Sequence, residues 1–138
     1  MTDLSRFHAA QAGVIDGALA ELRAGAKSSH WMWFVFPQIA GLGASDMARR
    51  YAIRDLAEAR AYLADPVLRE RLEAGVAAML GWAGRRSADA ILGGIDAVKL
   101  RSSLTLFEAA AGEGSDPYAA CLDAFYGGER DPATLARL

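Results

Sequence analysis

Asparagine is absent from this sequence, cysteine occurs once and lysine twice. A single thiol, Cys121, can form no internal disulfide, so the fold has to rest on its core. Two histidines without HxxxH spacing, and no second cysteine, give no zinc site, and no cofactor is expected. Long apolar runs are also lacking. The longest, Trp31 to Phe36, has six residues, where about 20 are needed to cross a bilayer, so no membrane partner is expected. Asp3, Arg6, Asp16, Glu21 and Arg23 near the start do not resemble a secretory signal. There is no basic excess either: 15 Lys and Arg face 17 Asp and Glu, a formal net charge of −2. Nucleic-acid binders carry a basic stripe, whereas these arginines are interleaved with acids, as in Arg69-Glu70-Arg71. A cytoplasmic protein with no nucleic-acid partner is the expectation. Neither a Walker loop nor a G-x-S-x-G elbow is present.

What the sequence does have is 138 residues, 53% of them hydrophobic, and 30 alanines. That is enough for a core without staples and fits one domain over residues 1–138. Leu4, Phe7, Gln11, Val14, Ile15, Ala18, Leu19 and Leu22 follow i, i+3, i+4 spacing, predicting one helix that stops at Gly25. Ala9, Gly13 and Gly17 fall four apart on it and suggest close helix–helix approach. Ser45-Asp46, Asp65-Pro66, Ser87, Asp116-Pro117 and Asp131-Pro132 read as helix starts, and Gly93-Gly94 and Gly127-Gly128 as breaks. The fold class is all-α, a compact bundle of about six to eight short helices at mixed angles.

One segment is apolar on every face: His30-Trp31-Met32-Trp33-Phe34-Val35-Phe36-Pro37. It could be a buried strand, but no other stretch offers a convincing partner. A short buried helix ending before Pro37 is therefore expected, with His30 on the face of Trp33 and Phe34.

The scarce polar residues gather at two places, Lys27-Ser28-Ser29-His30 and Lys99-Leu100-Arg101-Ser102-Ser103. Where 13 arginines carry most of the positive charge, both lysines border a serine doublet. His30 suits a general acid or base, because imidazole titrates near working pH; it can equally be a satisfied core residue. Ser29 can donate to an anion or cap a helix, and Trp33 can wall a pocket or fill the core. Gln38, before the Gly41-Leu42-Gly43 loop, offers a donor and an acceptor. Helical spacing puts Lys99, Ser102 and Ser103 on neighbouring turns, fit for a phosphate or carboxylate, though serines in a helix also bond backbone carbonyls. Two functions follow. In the first, a small anionic or nucleotide-like ligand sits in a pocket between segment 27–38 and helix 95–111, with catalytic His30 if there is turnover. Ser29, Trp33, Gln38, Lys99, Ser102 and Ser103 would be its ligand-binding residues. In the second, the aromatic segment forms a partner or homo-oligomer surface.

Ser29 to Gln38, read as SHWMWFVFPQ, resembles the signature of the bacterial family called "domain of unknown function 1810". Gly41-Leu42-Gly43, Tyr51-Ala52-Ile53, Asp65-Pro66, Lys99 to Phe107 and Phe125-Tyr126-Gly127-Gly128 continue the likeness in order, over essentially the whole chain. The resemblance implies a small all-α bacterial protein and implies no activity.

Overall fold

Periodicity and capping signals of this kind should yield helices almost throughout. In a computed structural model describing residues 2–138, 66% of the chain is helical. The elements are α1 (Ser5–Gln11), α2 (Ile15–Arg23), α3 (Met32–Val35), α4 (Asp46–Arg50), α5 (Leu56–Ala64), α6 (Pro66–Leu80), α7 (Ala88–Leu92), α8 (Gly94–Ala111), a 3-10 turn (Gly112–Gly114), α9 (Asp116–Tyr126) and α10 (Pro132–Leu135). Among the described residues six helices have seven or more residues; the other four are single turns.

The starts are local chemistry. The Ser45 hydroxyl accepts from the Ala48 N–H (3.1 Å), Asp55 from Glu58 (2.8 Å), Ser87 from Ala90 (3.0 Å) and Asp131 from Thr134 (3.1 Å). Asp65 accepts from both Val67 and Leu68, and Pro66 takes the first helical position, where no N–H is needed. At the end of α9, Gly127 is left-handed (φ 62°, ψ 25°), a conformation that costs glycine nothing.

The first helix is not continuous. Residues 12–14 form a turn, and α1 packs on α3 while α2 packs on α6. A Cβ built at Gly13 or Gly17 meets nothing within 4 Å, so the expected close approach through these glycines is absent. Close approach occurs instead at Gly75 of α6, where a Cβ would lie 2.9 Å from the Phe36 ring.

The aromatic segment folds as α3 and ends before Pro37, as expected, but His30 lies outside the helix and is exposed. Beyond it the backbone finds a partner that the sequence does not advertise. Ile39 and Ile53 form an isolated parallel bridge, with Ile53 N–H donating to Gln38 and Ala40 N–H to Ile53, both at 2.8 Å.

At the centre runs α8, which touches α5, α7, α9 and α10 and has six consecutive buried residues, Ser102 to Phe107. Around it an aromatic chain crosses the core: Phe34–Tyr51 (centroids 5.2 Å), Tyr51–Phe7 (6.1 Å), Phe7–Tyr62 (5.2 Å), Tyr62–Phe107 (5.1 Å) and Phe107–Tyr118 (6.3 Å). Gln11, 1% exposed, is the polar pin in this core. Its Nε2 donates to the Phe34 carbonyl (2.7 Å) and the Tyr62 hydroxyl (3.1 Å), and its Oε1 accepts from Arg71 (3.3 Å). Buried amide groups hold position only when paired in this way. Glu58, 2% exposed, does the same work beside it, accepting from Arg6 (2.8 Å) and from the Arg54 N–H (3.0 Å).

The two helical glycines should respond oppositely to the same change. Gly17→Ala should stabilise by about 0.5–1 kcal/mol, the helix propensity difference at an open site. Gly75→Ala should destabilise by about 1–3 kcal/mol, because Phe36 must move in a close-packed core. Urea denaturation of the two variants measures both signs.

Candidate functional site

The two lysines meet. After α2 the chain runs beside α7, where the Lys27 N–H donates to the Ile91 carbonyl (2.8 Å). This carries the Lys27 side chain to the first turn of α8, and its Nζ lies 2.9 Å from Asp96 Oδ2. Lys99, three residues further along α8, places its Nζ 3.6 Å from the other oxygen, Oδ1. Each ammonium also lies over an indole: Lys27 is 5.0 Å from the Trp31 ring centroid and Lys99 is 5.0 Å from that of Trp33. Cation–ring attraction of this kind is worth about 0.5–2 kcal/mol, more where water is excluded. The Lys27 side chain is 9% exposed and that of Lys99 23%. Two cations on one carboxylate leave the cluster with one positive charge in excess.

The other candidate residues divide. Ser29 is next to Lys27 in sequence, yet its donors face Glu21. That carboxylate accepts from the Ser28 N–H (2.7 Å), the Ser29 N–H (3.0 Å), the Ser29 hydroxyl and the Trp31 indole (3.0 Å). The anion that this loop was expected to bind is therefore one of the chain's own side chains. Partial burial works against the Glu21 charge, but these hydrogen bonds outweigh it and hold the carboxyl at about 2, down from an ordinary 4.5.

Ser102 and Ser103 do not share a surface with Lys99. The Ser102 hydroxyl is buried and donates to Asp131 Oδ2 (3.0 Å), with the Val98 carbonyl 3.3 Å from the same oxygen. Burial pushes the Asp131 carboxyl up, but the Thr134 and Ser102 hydroxyls overcome this and hold it below the ordinary range. An anion cannot share that position with an ionised carboxylate. Ser103, one turn beyond Lys99 on the same helix face, is 1% exposed, and its Oγ has no hydrogen-bond partner among the described residues. His30 is exposed and forms no side-chain hydrogen bond among the described residues, so nothing orients its imidazole. Trp33 and Gln38 are half-buried, and Gln38 is held through its backbone carbonyl by Ile53.

At the expected pocket between segment 27–38 and α8, each lysine ammonium lies over an indole. Concavities of 300–590 Å³ lie elsewhere, lined for example by Arg69, Glu73 and Tyr118 or by Arg23, Trp82 and Arg85. No cluster of three or more His, Cys, Asp or Glu side chains suited to a metal occurs among the described residues. Nor is any helix among them long and apolar enough to cross a membrane. Sequence reasoning missed Asp96. The available signal was its place three residues before Lys99 in the first turn of a long helix, where a carboxylate is favoured.

Fold and cluster together define an all-α protein whose central helix begins in a lysine–aspartate–lysine group seated on two indoles. The chain belongs to the family described as "Protein of unknown function (DUF1810)", whose model matches residues 1–138. The crystal structure of the conserved hypothetical protein Rv1873 from Mycobacterium tuberculosis is similar throughout. It has a TM-score of 0.94 and 46% sequence identity, over 99% of this chain and 96% of that one. Among curated proteins nothing matches.

Two measurements test the local account. Glu21 has a folded pKa below its unfolded one, so its contribution is present above about pH 4.5 and is lost as pH falls toward about 2. Wild type should exceed Glu21→Gln in unfolding free energy at neutral pH, and this advantage should shrink across that window. The serine doublet should split as well. Ser102→Ala strips Asp131 of a charge-assisted bond and should cost about 1–3 kcal/mol. Ser103→Ala removes an unpartnered buried hydroxyl and should be neutral or stabilising by up to about 1 kcal/mol. Equal losses at both positions would contradict this account.

Proposed function

We propose that the surface formed by Lys27, Trp33, Asp96 and Lys99 binds a small anionic, nucleotide-like ligand. The observation that carries this reading is the convergence of the chain's only two lysines on one carboxylate, each ammonium over an indole. The two halves of the cluster are unequal. Lys27–Asp96 is short and shielded, whereas Lys99–Asp96 is longer and more exposed, and such loose pairs contribute little. An incoming phosphate or carboxylate can take Lys99 from Asp96 while Lys27 keeps Asp96 neutralised. Trp33, half-buried, then offers a ring face and an indole N–H that makes no hydrogen bond among the described residues. Gln38 and Ser29 belong to the flanking segment, and Ser103 to the next turn of α8. His30 carries the imidazole of that segment, and it is the acid or base of the reading if turnover occurs.

The alternative, a partner surface made of the aromatic segment, has less to stand on, because Trp31, Met32, Phe34, Val35 and Phe36 are buried within the chain. What favours a protein partner is instead the exposure of Ile95 (77%) and Val98 (64%) beside Lys99.

A thermal-shift series against phosphorylated and nucleotide metabolites tests the ligand reading. A ligand at 100 times its Kd adds about 2.7 kcal/mol. Lys99→Ala should weaken binding by about 10- to 100-fold, the value of one charge-assisted contact, without lowering the stability of the free protein by more than about 1 kcal/mol. No shift across the series, or one unchanged in Lys99→Ala, would refute it. Concentration-dependent mass in light scattering, abolished by Val98→Asp, would support the alternative.

A further inference from the structure

Five of the thirteen arginines pair with a carboxylate: Arg6 and Arg54 with Glu58, Arg69 with Glu73, Arg101 with Glu129, and Arg130 with Glu108 and Asp123. The turn after α6 gathers three arginines that have no carboxylate partner among the described residues. Arg23, in the last turn of α2, and Arg85 form no side-chain hydrogen bond or ion pair among the described residues. Arg86 bonds only the Ala90 carbonyl (3.1 Å). These three guanidiniums border two concavities of about 400 and 380 Å³ that share Arg85. The first is lined by Arg23, Trp82 and Arg85 over an alanine floor, the second by Arg85, Arg86, Ser87 and Phe125, and no Asp or Glu lines either. In a chain of net charge −2, this is a local excess of positive charge with no carboxylate partner among the described residues.

The turn is also rigid. Trp82 donates its indole N–H to the Leu22 carbonyl (2.9 Å), and its ring lies against Gly25, where a Cβ would come within 2.8 Å of it. Arg85 lies over the same ring, with its Cζ 4.7 Å from the centroid. The N–H groups of Arg85 and Arg86 both donate to the Trp82 carbonyl (2.8 and 3.0 Å). A guanidinium stacked on an indole keeps its N–H edge free and loses little entropy when that edge binds.

We infer that the turn following α6 is an anion site for a diphosphate group, one phosphate between Arg23 and Arg85 and the next reached by Arg85 and Arg86. Guanidinium forks bind phosphate oxygens in pairs, and the shared Arg85 suits two linked phosphates better than one. The site uses neither Lys27 nor Lys99 and stands apart from the surface proposed above.

Isothermal titration of the full chain with inorganic pyrophosphate at low ionic strength tests this. Binding is expected, weakened at least tenfold in Arg85→Gln and in Arg23→Gln and unchanged in Arg49→Gln, which removes an exposed arginine of α4 outside both proposed sites. Arg85→Lys, which keeps the charge and loses the fork, should fall between wild type and Arg85→Gln. Unfolding midpoints of all variants, measured in parallel, check that the fold is kept. Equal affinity for inorganic phosphate, or no heat with pyrophosphate, overturns the assignment. So does a loss in Lys99→Ala with none in Arg85→Gln. ADP binding that matches pyrophosphate and shows the same variant pattern supports a free nucleotide as the source. A single-stranded oligonucleotide that binds much more tightly, with a steep salt dependence, overturns the diphosphate in favour of a phosphodiester backbone.

Discussion

A helix buried on most of its circumference has to find a partner inside the protein for nearly every polar group it carries, and α8 imposes that condition here. Thr105 meets it twice, donating to the Arg101 carbonyl (2.8 Å) and accepting from the Asp131 N–H (3.0 Å). Ser102 meets it through Asp131, which also fixes Thr134 and so docks α10. Tyr126 reaches back from the end of α9 to the Ala97 carbonyl. Arg101 holds the backbone carbonyls of Glu129 and Arg130, both at 2.8 Å. The C-terminal segment is thus positioned largely by the needs of α8. Ser103 is the exception, and it lies one turn from the two-lysine cluster.

How much of this could be read from the sequence depends on how local the cause is. Ser45, Asp65, Ser87 and Asp131 cap helices through bonds to residues two or three positions away, and the pattern of side chains discloses such bonds directly. The length and burial of α3 follow from a run with no polar face. The turn at residues 12–14 is different: it separates a helix packed on α3 from one packed on α6, and those contacts are tertiary. The bridge between Ile39 and Ile53 is likewise set by tertiary placement and leaves no alternation in the sequence.

The candidate residues show the same division. Composition pointed to both lysines, but not to Asp96, which unites them. The Ser28-Ser29 doublet reads as an anion cradle, and its donors do surround a carboxylate; that carboxylate is Glu21, seven and eight residues earlier, across the turn that ends α2. Ser102 and Ser103 are adjacent in sequence and so diverge by about 100° around the helix, which sends one to Asp131 and the other into the core. Residue type identified the chemistry available at these positions, and distance along the chain concealed how it is spent.

The bridge between Ile39 and Ile53 has a further consequence. Ile53 is fastened by one backbone hydrogen bond to Gln38 and by another to Ala40, and these close a loop containing α4, a helix with no buried residue. Because the ends are held from outside the loop, its length is nearly independent of the core: doubling a flexible loop costs only about 0.6 kcal/mol in closure entropy. The loop's last residues are anchored firmly, by the Tyr51 ring buried against Phe7 and Phe34 and by the Arg6 guanidinium on the Ala52 carbonyl (2.9 Å). The rest is tied lightly, by the Arg137 guanidinium on the Gly41 carbonyl (3.3 Å) and by Leu42 and Met47 resting on the core margin. The fold therefore contains a segment, residues 41–50, whose length and composition can vary while the helices around it keep their places.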